Sequence, residues 1–223
     1  MLTAVSCKQV HDATYLRQMR DSGGPRRARA RNDGMNKEFL AFQPSDMPDT
    51  LALERRLQGD LRSDHAGETG AVWIYRGILA VSRCPEVRDF AVHHLETEQR
   101  HLQFFEAWLG PRHKSRLLPL WRVAGWLLGA LSAAGGRRSV FLTIEAVEAF
   151  VVEHYQEQIK YLREHHAHRE IRAVLRQFQR DEDHHRLDAL ERSTPACTGP
   201  VASLWRAIVD GGSRLAVAAA RRL

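Results

Sequence analysis

Cysteine is too scarce and too irregularly placed to organise this chain. Only three cysteines occur among 223 residues, at Cys7, Cys84 and Cys197. No two of them have the spacing of a zinc site or a redox motif, and the odd number argues against a disulfide framework. We therefore expect a protein of a reducing compartment whose fold does not depend on disulfides.

Strand patterns and repeats are also missing. From about residue 49 the chain has no run of alternating β-branched residues and no solenoid-type repeat, so we expect helices throughout. The net charge of +6 is unevenly placed, because residues 1–45 carry eight Lys or Arg against four Asp or Glu. Four of the six excess charges thus lie in that short region, and we expect no nucleic-acid partner.

Residues 1–48 lack the apolar pattern of a folded unit. Gly23-Gly24-Pro25 is followed by the arginine-rich stretch 26–31, with few large apolar residues nearby, which predicts a basic, disordered extension before a single domain at 49–223. The apolar core of a secretory signal is not present. A transit peptide remains open, although three aspartates count against it. An over-extended start, with Met35 as the first residue, remains equally open.

The chain does have four regularly spaced acidic positions, two of which are followed three residues later by histidine. A four-helix bundle that holds two iron or manganese ions uses one Glu from each of two helices and a Glu-x-x-His pair from each of the others. Four carboxylates would neutralise two divalent cations. The sequence therefore predicts a two-metal site formed by Glu68; Glu98 and His101; Glu148; and Glu182 and His185.

The intervals between these positions fit two antiparallel helix hairpins. Glu68 and Glu98 are thirty residues apart, with Pro85 near their midpoint, where a helix is expected to break. Glu148 and Glu182 are thirty-four apart, with a polar, histidine-rich midpoint. At about 1.5 Å per residue the ligands lie roughly 22 and 25 Å from the two turns, at nearly the same depth. We predict an all-α four-helix bundle with helices at 49–82, 86–109, 138–164 and 169–192.

Two further apolar segments lie outside this bundle, at 117–134 and 201–223. The first has a single charge, Arg122, and its eighteen residues reach the lower limit of a membrane span. A proline and two glycines weaken that interpretation. Basic flanks together with Trp121 and Trp126 favour a helix in the membrane interface, and the second segment has a similar composition. The alternatives are ordinary core helices or a dimer face.

The motifs around the predicted ligands resemble those of the demethoxyubiquinone hydroxylases. The similarity runs from about Leu61 to the C-terminus, and its most specific part is the block at 64–71. The matching motifs, in the same order, are Asp64-His65-Ala66-Gly67-Glu68-Thr69-Gly70-Ala71, Leu118-Pro119-Leu120-Trp121, Val147-Glu148, His154-Tyr155 with Gln158, Arg180-Asp181-Glu182 with His185, and Arg221-Arg222-Leu223.

The resemblance implies a ferritin-like di-iron monooxygenase of ubiquinone biosynthesis, which uses O₂ to hydroxylate the ring of a polyprenylated methoxy-methyl-benzoquinol (demethoxyubiquinol). It implies a membrane-associated protein on the cytoplasmic face of the bacterial inner membrane, or on the matrix face of the inner mitochondrial membrane. Other proteins of ubiquinone biosynthesis are possible partners. One iron would be held by Glu68, Glu98 and His101 and the other by Glu148, Glu182 and His185, with Glu98 and Glu182 as the bridging carboxylates.

Four more residues are candidates around the metals. Tyr155 lies seven residues after Glu148 on the same helix face, so we predict that it contacts substrate or relays a proton; the alternative is a core tyrosine bonded to a neighbouring helix. His154 is a catalytic candidate through the family's His-Tyr pair. Ligating histidines usually donate their second N–H to a carboxylate, for which Asp64 and Asp181 are suitably placed.

Some features leave other functions open. Trp73, Ile78 and Glu153 stand where the family usually has other residues, which could alter the quinone contacts. A ferritin-type ferroxidase would use the same ligands but would not need the apolar segment 117–134. A non-enzymatic scaffold at the membrane surface would leave six potential ligands in an apolar core without a role.

Overall fold

The computed structural model describes residues 42–193 and 199–223. In these residues the backbone forms α-helices and short 3-10 turns without a β-strand, which confirms the all-α prediction. The α-helices are α1 Arg55–Val81, α2 Pro85–Trp108, α3 Leu118–Ala134, α4 Arg137–Glu164, α5 Arg169–Arg192 and α6 Pro200–Arg222.

Helices α1 and α2 form one hairpin, and α4 and α5 form another, with the turns where the sequence predicted them. Pro85 occupies the first turn of α2, where its missing N–H costs no hydrogen bond. Between α4 and α5 the chain reverses through His166 and His168, whose φ angles of 51° and 40° are left-handed and end a helix. The two hairpins place the centres of all four helices side by side.

The predicted start of the first helix, residue 49, is wrong by six residues. Asp49 instead caps a separate 3-10 turn at Thr50–Ala52, since its carboxylate accepts a hydrogen bond from the N–H of Leu51 at 2.9 Å. Leu53 and Glu54 are then extended, and α1 begins at Arg55. Local capping by an Asx-type bond thus competes with helix propagation.

Residues 42–48, which we had placed in the extension, lie against the bundle. The Met47 side chain is buried, and the carbonyl of Pro48 accepts a hydrogen bond from Nε1 of Trp108 on α2 at 2.9 Å. The residues that pack on the bundle therefore include some before residue 49. Residues 1–41 of the predicted extension lie outside the described residues.

Helix α3 packs on α1 through glycine contacts. A Cβ atom built on Gly125 would lie 2.5 Å from the carbonyl oxygen of Gly70, and one built on Gly129 would overlap the carbonyl oxygen of Ile74. Only glycine lets the two backbones approach this closely. The glycines that weakened a membrane span in the sequence therefore form a helix–helix seam, and none of the described helices is long and apolar enough to cross a membrane.

Helix α6 lies across the bundle and is anchored at both ends. Near its start, Nε1 of Trp205 donates to Oγ1 of Thr143 on α4 at 2.9 Å. Near its end, Nε of Arg221 lies 2.9 Å from Oδ1 of Asp60 on α1, and Arg62 donates to the carbonyl of Arg221 at 3.1 Å. Both α3 and α6 thus have one face on the bundle, as the core-helix alternative required, while the opposite face stays exposed.

Candidate metal centre

The six predicted ligands meet in the middle of the bundle, each no more than 4% exposed. Their ligand atoms form two groups, and within each group the atoms lie within 4.8 Å of one another. Glu98 and Glu182 belong to both groups, as expected for carboxylates that bridge two ions. The groups are Glu68, Glu98, His101 and Glu182, and Glu98, Glu148, Glu182 and His185.

Both histidine rings direct Nδ1 at the carboxylates. Nδ1 of His101 lies 2.9 Å from Oε1 of Glu182 and 3.5 Å from Oε2 of Glu68. Nδ1 of His185 lies 2.9 Å from Oε1 of Glu98 and 3.1 Å from Oε2 of Glu182. Each imidazole therefore directs a ring nitrogen at the acidic cluster and can serve as a ligand once that nitrogen is deprotonated.

Asp181 orients one of these rings. Its Oδ2 lies 3.1 Å from Nε2 of His101, on the side of the imidazole opposite the cluster. A carboxylate there fixes the tautomer that leaves Nδ1 free of a proton and makes the ring a stronger ligand. Asp181 adjoins Glu182 in sequence but reaches a histidine on the other hairpin, so it couples the two hairpins at the site.

Several ligand atoms in this core lack ordinary hydrogen bonds. Both carboxylate oxygens of Glu182, Oε1 of Glu98 and Nδ1 of His185 are buried, and their contacts of 2.9–3.1 Å with the facing nitrogens and oxygens do not have hydrogen-bond geometry. Buried carboxylates without partners are costly, and polar clusters of this kind are satisfied by coordination. Carboxylate oxygens and imidazole nitrogens together fit divalent first-row transition metals. The cluster could therefore hold a pair of metal ions.

Protonation of the cluster reflects the burial of its four carboxylates next to one another. Burial raises the pKa of Glu98 and of Glu148 well above its ordinary value, and the neighbouring charge of Glu182 adds to this. Burial acts in the same direction on Glu182, but His185 and His101 beside it bring its pKa below the ordinary value. Burial opposes a charge on His101, yet Glu68 and the hydrogen bonds of nearby carboxylates raise its pKa well above the ordinary value. Metal binding must displace these protons.

Two buried tyrosines donate to the ligands that belong to only one group. The hydroxyl of Tyr75 donates to Oε1 of Glu148 at 3.2 Å, and that of Tyr155 donates to Oε1 of Glu68 at 2.5 Å. Each tyrosine follows the glutamate of its own helix by seven residues and bonds the glutamate of the other helix. Sequence reasoning singled out Tyr155 but not Tyr75, although the same Glu-to-Tyr spacing in both halves carried the signal.

An apolar cavity of about 340 Å³ adjoins the cluster and is enclosed by α1, α3, α4 and α6. Its inner end is formed by the carboxylates of Glu68, Glu98, Glu148 and Glu182. Most of its wall is apolar, and exposed residues at the outer end connect it with the surface between α3 and α6. The main apolar lining residues are Trp121, Leu128, Val147, Val151, Trp205 and Val209.

The remaining predicted residues have mixed outcomes. His154 is buried and lines the cavity beside Tyr155. The prediction that Asp64 supports a ligating histidine is wrong, because its Oδ1 lies 3.1 Å from Nε2 of His154 instead. Asp64 lies one turn before Glu68, where α1 faces α4 and not the histidines of α2 and α5. His184 is exposed, as expected for a neighbour of a ligand.

Fold and site together define a helical bundle with a buried carboxylate–histidine cluster suited to two metal ions and an apolar cavity that leads to it. The family model described as "Ubiquinone biosynthesis protein COQ7" matches residues 55–220. The chain belongs to this family.

Curated relatives carry hydroxylase names. The chain is 34% identical over 161 residues to the NADPH-dependent 3-demethoxyubiquinone 3-hydroxylase of Rattus norvegicus, covering 70% of this chain and 73% of the relative. It is 31% identical over 203 residues to the 3-demethoxyubiquinol 3-hydroxylase of Rhodospirillum rubrum, covering 82% and 93%. The human protein, with the same name as the rat protein, is 32% identical over 167 residues, covering 73% and 76%.

The number of metal ions lost on substitution of a ligand should depend on whether that residue belongs to one or to both of the two ligand groups. The full-length protein, loaded with iron(II) without oxygen, should bind two ions per chain. Glu98→Ala should lose both, because Glu98 belongs to both groups, and His185→Ala should lose at least one. His184→Ala is the matched control and should keep two. Iron per chain, measured by elemental analysis, checks this, and equal loss from the two histidine variants would contradict it.

The metal-free protein should become less stable as the pH rises above 6.5, the ordinary pKa of histidine. Groups with a raised pKa, here Glu98, Glu148 and His101, hold protons in the folded protein that the unfolded chain has released, so stability falls with rising pH. His94, whose pKa is lowered from 6.5 to about 3, is neutral in both states above pH 7 and adds no slope.

Urea unfolding at a series of pH values measures this dependence. Loading with metal should flatten the profile, because the bound ions have replaced the protons. Glu148→Gln should flatten it partly, since the amide does not titrate. A metal-free protein whose free energy of unfolding is constant over this range would show that the cluster does not hold protons.

Proposed function

We propose that this protein uses O₂, two iron ions and two electrons from an external reductant to hydroxylate the ring of a polyprenylated demethoxyubiquinol, with the second oxygen atom released as water. The observation that carries the proposal is the apolar cavity, because it ends at four of the six candidate ligands. The names of the relatives, 3-demethoxyubiquinol 3-hydroxylase and its NADPH-dependent counterpart, support the same substrate class.

The six ligands have the charge and donor types for two ferrous ions, which when bound would supply the activation of oxygen. The protein residues bind and orient the substrate and exclude water. The apolar walls, including Trp121 and Trp205, suit an aromatic ring and a prenyl chain and keep water away from the reacting atoms. A cavity of about 340 Å³ is within the range of small-molecule sites.

Tyr155 is positioned to act as a hydrogen-bond donor beside the ligands in this reaction. Its hydroxyl lies at the cavity wall and donates to Oε1 of Glu68. Burial and the charge of Glu68 raise the pKa of this phenol well above its ordinary value, so the proton stays on the oxygen at neutral pH. Tyr155 thus presents a hydrogen-bond donor beside the ligand set, where negative charge on an oxygen atom needs stabilisation.

We also propose that α3 and α6 lie in the membrane interface. Their outward faces expose large apolar side chains, among them Leu131 at 65%, Val201 at 81% and Leu215 at 73%. The mouth of the cavity lies between these two helices, so a prenyl chain would pass from lipid to cavity without crossing water. We place the protein on the cytoplasmic face of the bacterial inner membrane, or on the matrix face of the mitochondrial one.

Oxygen labelling distinguishes the oxygenase from a ferroxidase. The reduced protein, given a detergent-solubilised demethoxyubiquinol analogue and ¹⁸O₂, should yield a hydroxylated ring that carries ¹⁸O, detected by mass spectrometry. Glu148→Ala should abolish the product, because it removes a ligand. Tyr155→Phe should lower the rate by about a hundredfold, as expected when one positioned hydrogen-bond donor is lost. Label from water, or iron uptake well beyond two per chain without ring hydroxylation, would favour storage.

Membrane release should follow from loss of the exposed apolar face of α3. Serine at Leu120, Val123, Leu127 and Leu131, which are all exposed, should release the protein from liposomes in a flotation assay while its iron content stays at two. The reason is that these side chains supply interfacial burial and no ligands.

A matched control uses exposed apolar residues on α2 and α5, away from α3 and α6. Serine at Val92, Leu187 and Leu190 should leave membrane binding unchanged. Trp121 and Leu128, which lie in the same apolar segment, line the cavity and are kept in both variants. Equal release from the two sets would contradict the interface at α3 and α6.

A further inference from the structure

The substrate cavity has a second polar region besides the metal ligands. Ser63, Asp64 and His154 form part of its wall on the α1–α4 side, next to Tyr155. These side chains are buried, with Asp64 only 3% exposed. An apolar cavity that is polar at two places orients its ligand, because the polar groups fix how an otherwise apolar molecule sits.

Asp64 is held rigidly through one of its two oxygens. Oδ1 accepts a hydrogen bond from Nε2 of Gln158 at 2.7 Å and lies 3.1 Å from Nε2 of His154. Oγ of Ser63 lies 3.3 Å from the same histidine nitrogen and donates to the carbonyl of Asp60 at 2.7 Å. The network therefore fixes the position of the carboxylate before any ligand arrives.

The other oxygen, Oδ2 of Asp64, is buried and has no hydrogen-bond partner among the residues that the structure describes. Leaving a buried acceptor unpaired is expensive, because the group lost its water and gained nothing in return. Since Asp64 lines the cavity, a molecule bound there can supply the missing donor. A hydroxyl group is the donor that a mostly apolar ligand would carry.

We propose that Oδ2 of Asp64 accepts a hydrogen bond from one ring hydroxyl of the quinol, and that this contact determines which ring carbon faces the metal site. The proposal rests on the proposed function, since it concerns the same cavity and substrate. Asp64 precedes Glu68 by one helical turn, a rise of about 6 Å. A single aromatic ring spans that distance, so a hydroxyl at Asp64 leaves the far side of the ring against the ligands.

This contact also explains a preference for the reduced ring. A quinol carries O–H donors, whereas the corresponding quinone carries only carbonyl acceptors, which a carboxylate repels. The buried carboxylate thus selects the oxidation state that is electron-rich enough to be hydroxylated.

Methyl ethers of the substrate test the contact without redox chemistry. The iron(II)-loaded protein is titrated without oxygen with a short-chain demethoxyubiquinol and with its two monomethyl ethers, and binding is followed by quenching of tryptophan fluorescence. One ether should bind about tenfold more weakly than the quinol, as expected for loss of about 1.4 kcal/mol. The other should bind nearly as tightly as the quinol.

Two isosteric variants on the same helix separate binding from structural support. Asp64→Asn should reduce the difference between the two ethers to about twofold or less. Asp60→Asn belongs to the same buried region but pairs with Arg221 and does not line the cavity, so it should keep the tenfold difference. If Asp64→Asn does not fold, the ether series on the unmodified protein still decides, because equal binding of both ethers and the quinol overturns the proposal.

Equal effects of the two variants would also overturn it, since the network would then act only structurally. The proposed function fails in a different way. A protein that discriminates between the ethers through Asp64 but forms no ¹⁸O-labelled product supports the binding site and contradicts the oxygenase.

Discussion

Four carboxylates buried side by side in an apolar helical core are the constraint on which the rest of this structure depends. Such a cluster is unfavourable unless cations, protons or donors compensate its charge. Two imidazoles and two phenols of the bundle compensate part of this charge. Protons on Glu98 and Glu148, whose pKa values are raised, compensate a further part. Aromatic side chains seal the core on both sides of the cluster, with Phe90 and Phe141 in edge contact at one end and Phe104 and Phe178 at the other. This packing holds the six candidate ligands in place.

A sealed four-helix core would leave the cluster without access for a large substrate, and α3 and α6 solve that problem. Each of these helices carries apolar side chains on both its inner and its outer face. The inner faces complete the cavity wall, and the outer faces are exposed and apolar. The glycine seam lets α3 lie directly on α1, and Trp121 and Leu128 of α3 then form part of the cavity wall. The opening to the carboxylate–histidine cluster and the exposed apolar surface therefore arise from the same two segments.

Much of this arrangement could be predicted from the sequence, because ligand spacing and helix geometry constrain each other. The predicted helices at 86–109, 138–164 and 169–192 agree with α2, α4 and α5 within one residue at each end, and all six candidate ligands meet where the spacing placed them. The misses share a cause. The start of α1 depends on the Asp49 cap, the partner of Asp64 on the rotation of α1 against α4, and the role of Gly125 and Gly129 on contact with another helix. None of these is contained in a helical period, because the Asp49 cap is a local hydrogen bond with Leu51 and the other two depend on a neighbouring helix.

The crossed pair of tyrosines makes the centre of this protein nearly two-fold symmetric: each hairpin contributes a glutamate, a phenol seven residues later and a Glu-x-x-His pair, and each phenol reaches across to the other hairpin. The surroundings break the symmetry. Tyr155 borders the cavity and Tyr75 does not; Asp181 precedes Glu182, whereas Thr97 precedes Glu98. Two ligand sets of identical composition consequently face different environments, because Glu68 of one set is bonded to a tyrosine in the cavity wall and Glu148 of the other to a tyrosine outside it. The ligands of this centre are thus nearly symmetric, but their surroundings are not.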